Sequence, residues 1–116
     1  MTVVTKEQYN TLYSKIEQEI KETTNNILDE KQYNEFVLCT IGVYKDNYST
    51  KYIFDGYFDS EEKIDWEAWQ KNVLESWEDI CKYSITDEQT SLTVIESIWF
   101  AMQDIPDIIK NVLQIE

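Results

Sequence analysis

A chain of 116 residues is sized for one hydrophobic core, because a domain of this length removes roughly 65% of its unfolded surface from water. Its 23 carboxylates face 10 cations, all lysine, with no arginine and no histidine, leaving a net charge of −13. Without arginine there is no bidentate fork for phosphate, and a negative surface repels nucleic acid and anionic lipid. Without histidine the commonest general base and transition-metal ligand are both missing, which argues against hydrolase, nuclease and zinc chemistry.

The chain is expected to fold as a single acidic domain, residues 1–116. No apolar run reaches the roughly 18 residues of a membrane span, and Met1–Glu7 has no basic leader, so a cytoplasmic protein is expected. Cys39 and Cys81 have no paired-cysteine spacing and sit in apolar company, as two buried thiols in a reducing compartment would.

Thr5 followed by Gln8 forms a capping-box signal. Behind it Tyr9, Leu12, Tyr13, Ile16, Ile20, Ile27 and Leu28 keep the spacing of a helix, from about Lys6 to Asp29. From Glu35 to Tyr44 the residues turn β-branched and aromatic and predict a strand. Turn formers at 45–49 and an alternating run from Thr50 to Phe58 then complete an antiparallel hairpin.

The next element dominates the sequence. On a helix from Asp65 to about Tyr83, Trp66, Trp69, Val73, Trp77 and Ile80 share one face while Glu67, Lys71, Glu75, Glu78 and Asp79 gather opposite. Asp59 or Asp65 is placed to cap it, so part of the acid run is explained by folding alone. Thr86 with Gln89 opens a further helix toward Ile105, although 91–95 is β-branched enough to be a third strand. Pro106 suits a first helical turn, so Asp104 is expected to cap a short final helix from Ile105 to Leu113. The elements together predict an α+β fold with helices packed on a small sheet.

No glycine-rich phosphate loop, nucleophile elbow or cysteine–histidine pair is present. The acids Asp55, Asp59, Glu61, Glu62 and Asp65 do not follow the order of a calcium-binding loop. Neither catalytic residues, nor a metal, nor a cofactor is therefore expected.

Between Asp55 and Glu88 eleven carboxylates stand against three lysines, a balance of −8 in 34 residues. Carboxylates on rigid elements can reproduce the charge spacing of a phosphate backbone and steer a protein into a basic groove. The expected function is non-catalytic: an acidic inhibitor that covers the nucleic-acid-binding site of a basic partner, such as a nuclease, by mimicking nucleic acid. An immunity or antitoxin protein and a phage antagonist of a host defence enzyme both use that chemistry. The contact is expected at Asp55, Asp59, Glu61, Glu62, Glu67, Glu75, Glu78 and Asp79, with Tyr57 as an aromatic anchor. The competing expectation is a structural or adaptor module, able to homodimerise through exposed aromatics, whose charge serves solubility only.

Overall fold

In the computed structural model, residues 3–42 and 49–116 are described. They contain five helices: α1 (Lys6–Thr23), α2 (Glu30–Ile41), α3 (Thr50–Ile53), α4 (Trp66–Ser84) and α5 (Glu88–Leu113). The expected α+β fold is incorrect. Among the described residues there is no strand or sheet, only isolated bridges between Val3 and Ser49 and between Phe58 and Ile64.

The first helix starts as expected, with Thr5 and Gln8 bonding each other's backbone. It ends earlier, because Asn25 and Asn26 turn left-handed at φ 54° and 55° and reverse the chain. Asp29 and Gln32 then form a second capping box, which opens α2 in place of the expected strand. Tyr33, Phe36, Val37, Thr40 and Ile41 are buried at helical spacing, and that stripe decides the element over the β propensity of its members. Gly42 closes α2 at φ 79°, a region that favours glycine. The expected strand end at Val43 and Tyr44 and the turn at 45–48 lie outside the described residues.

The second expected strand is also absent. Thr50–Ile53 is one helical turn, and Gly56 at φ 84° redirects the chain into a tight loop. There the Asp59 Oδ1 accepts the N–H groups of Glu61 and Lys63 at 2.8 and 3.0 Å. Residues 91–95 are helical, so the third strand fails too. Asp87 rather than Thr86 caps α5, and the helix runs unbroken through Pro106 where a new helix was expected.

Four helices pair as neighbours in the cyclic order α1, α2, α4, α5. Hydrogen bonds fix their directions. The Tyr33 and Thr24 hydroxyls meet at 2.8 Å, and Lys21 pairs with Glu30 at 3.0 Å, joining the end of α1 to the start of α2. Gln32 Nε2 reaches Ser84 O, Ser91 Oγ reaches Cys81 O, and Gln8 Nε2 reaches Val112 O, so every neighbouring pair is antiparallel. The result is an up-down-up-down bundle with α2 diagonally across from α5 and α1 across from α4.

Leu12, Ile16 and Ile20 of α1, Phe36 and Val37 of α2, Trp69, Val73 and Trp77 of α4, and Val94, Ile98, Met102 and Ile105 of α5 fill the core. Trp77 Nε1 donates to Phe36 O and Thr40 Oγ1 at 3.2 and 3.1 Å, so its ring enters the core with its polar atom satisfied. At the end where α4 begins, Phe54 meets Trp66 and Trp69 edge-on, with ring centroids 5.2 and 6.0 Å apart.

Candidate functional site

The face of α4 turned away from the core carries Glu67, Lys71, Glu75, Asp79 and Lys82, all exposed, with Glu78 half-buried. At 1.5 Å per residue, Glu67 and Asp79 stand roughly 18 Å apart along the axis. Lys71 lies four residues from both Glu67 and Glu75, so the face is a carboxylate ridge interrupted by cations rather than a continuous one. None of the three ion pairs among the described residues involves α4. Two hold Lys21 to Glu17 and Glu30, and the third is a loose 3.8 Å contact between Lys63 and Glu61.

The other expected contact residues lie in the loop before α4, at the opposite end from Asp79. Asp55, Asp59, Glu61 and Glu62 are exposed there. Asp59 is occupied in holding its own loop, and Glu62 takes φ 60° in the turn it closes. Asp65 caps α4 by accepting the Ala68 N–H at 3.1 Å. Tyr57 is half-buried, and its hydroxyl accepts a bond from Asn72 Nδ2 at 2.9 Å, which fixes it as a brace between loop and helix. The nine expected residues therefore divide into a loop group and a helix group.

The more concentrated arrangement includes residues outside that set. Where α2 begins and α4 ends, Asp29, Glu35 and Asp79 line an open groove with Lys31, Gln32 and Ile80. Tyr83 stands at its edge with 87% of its surface exposed, more than any other large hydrophobic residue described. Asp79 belongs to the expected contact, but Asp29, Glu35 and Tyr83 do not. They could be found only by pairing α2 with α4, and α2 reads as a strand by composition.

A larger cleft lies at the other end, lined by Lys51, Lys63, Phe58, Ile64, Trp66 and the chain's last residues. Lys110 sits over the Trp66 ring at 5.1 Å, and Trp66 Nε1 donates to Glu116 O at 3.2 Å. Across the α1–α5 seam the Glu19 carboxyl faces Asp104. Burial first, then a hydrogen bond with Asp104 and the negative charge of Asp104 and Glu22, push the Glu19 carboxyl up to about 7.

The two thiols are unbonded. Cys39 is exposed, against the expectation that both would be buried, while Cys81 is buried. Burial, helped by nearby Glu78, pushes the Cys81 thiol up to about 11, which leaves it protonated and unreactive near neutrality. Among the described residues no three His, Cys, Asp or Glu side chains are grouped to hold a metal ion, and no helix is long and apolar enough to cross a membrane. No protein family model, curated protein or solved structure matches the chain.

Proposed function

We propose that this protein is a non-catalytic binding protein that recognises a basic surface on a partner protein and, by occupying it, excludes nucleic acid from that surface. The observation that carries the reading is the α2–α4 groove, lined by Asp29, Glu35 and Asp79 with one lysine, Lys31, and edged by the exposed ring of Tyr83. An exposed aromatic can supply the buried anchor of an interface, while carboxylates around it steer a cationic partner and fix its register. Among the described residues no lysine pairs with an acid of α4, which leaves those acids available to such a partner.

Reversing Glu75, Glu78 and Asp79 together to Lys tests the reading. Glu75 and Asp79 are exposed and Glu78 is half-buried, and none of the three is in an ion pair among the described residues. Helical circular dichroism should therefore stay unchanged while a basic partner captured from lysate at low salt is lost. The parent should release that partner steeply between about 50 and 500 mM salt, as screening removes the steering. Capture that survives both the reversal and the salt would instead favour an adaptor joined through apolar contacts.

A further inference from the structure

A second surface lies on the other side of the bundle. No described element packs on the outer face of α5, where three large apolar side chains stand exposed among Thr93, Glu96, Gln103, Asp104 and Asp107. Leu92 is 51% exposed, Trp99 50% and Phe100 65%. At 100° per residue Leu92, Trp99 and Gln103 fall within roughly 20° of one line. Phe100 lies toward the α1 seam, on the same side as Asp104, which faces Glu19 of α1. Acids of the same helix lie among and beside these side chains: Glu88 one turn before Leu92, Glu96 one turn before Phe100 and between the lines of Trp99 and Phe100, and Asp104 one turn after Phe100. No lysine occurs between Lys82 and Lys110.

We propose that the α5 outer face docks an amphipathic cationic helix of a partner protein, its apolar residues on Leu92, Trp99 and Phe100 and its lysines or arginines against Glu88 and Glu96. Charge selects this occupant over the alternatives. A second copy would set these same carboxylates against their own images between two molecules of net charge −13. An anionic lipid surface meets the same repulsion. A basic helix supplies the missing cations and matches the exposed apolar residues at the three- and four-residue spacing by which helices read grooves. This surface is separate from the α2–α4 groove, so the inference stands independently of the function proposed above.

The test is a titration of isotope-labelled protein with a Leu/Lys amphipathic helical peptide, and with a Leu/Glu peptide of the same apolar stripe. The Leu/Lys peptide should bind and shift the Trp99 indole N–H signal while the buried Trp69 and Trp77 signals stay in place. The paired substitution Trp99→Ser and Phe100→Ser should weaken binding roughly tenfold or more, whereas the Glu75, Glu78 and Asp79 reversal should leave the Trp99 shift intact. Equal binding of the Leu/Glu peptide, a stationary Trp99 signal, or undiminished binding by the serine pair would overturn the proposal. So would a dimer of the parent protein that the serine pair dissolves, because the face would then belong to a second copy.

Discussion

Glu19 can donate to Asp104 only while it holds a proton, and the fold keeps that proton to about pH 7 where an ordinary glutamate loses it near 4.5. A raised folded value means that native chains hold a proton the unfolded chain has released. The stability contributed by the bond is complete below about 4.5 and is lost as pH rises through about 7. Above that, two carboxylates repel across the seam. Glu19→Gln supplies a permanent donor, so at pH 8 the variant should be more stable than the parent by on the order of 1 kcal/mol, partial exposure screening the rest. The gap should close by pH 5. Urea midpoints of both proteins at the two values check it, and a gap independent of pH would mean that Glu19 titrates normally.

At the scale of a helix, α5 continues through Pro106 where a helix start is expected. Proline has no N–H to give the carbonyl four residues back, which is the usual reason a helix stops. Here that carbonyl belongs to Met102, and Gln70 Nε2 reaches it from α4 at 3.4 Å, so the helix continues. Gln70→Ala should cost about 1 kcal/mol by leaving the carbonyl unmet. In a Pro106→Ala background the same change should cost almost nothing, since the restored N–H takes over the bond. A double-mutant cycle by chemical denaturation measures the difference, and equal costs in both backgrounds would refute the link. The partner is 36 residues upstream, so no local pattern could have revealed it. In α2 the capping box and the stripe of Tyr33, Phe36, Val37, Thr40 and Ile41 are both present in the sequence, and the period outweighs a β-branched composition that points to a strand.

For the whole molecule, α4 and the start of α1 are legible in the sequence because their caps and apolar periods agree, while the architecture is not, because the composition of α2 points to a strand. The acids of α4 were placed correctly on the outside, but a groove made by two helices cannot be seen from either alone. Charge also acts on the fold as a whole. A surface at −13 repels itself, so the melting temperature should rise between about 10 mM and 0.5 M sodium chloride as the Debye length contracts. A falling or flat response would show that pairs such as Lys21 with Glu30 outweigh the general repulsion. The diagonal placement of α2 and α5 has one more result. The groove edged by Tyr83 includes α2 and the patch around Phe100 lies on α5, so, if both proposed sites bind, two guests would be held at once on different helices. Joined by a flexible tether of sufficient span, two weak basic segments would grip this small scaffold like a clamp, each raising the local concentration of the other.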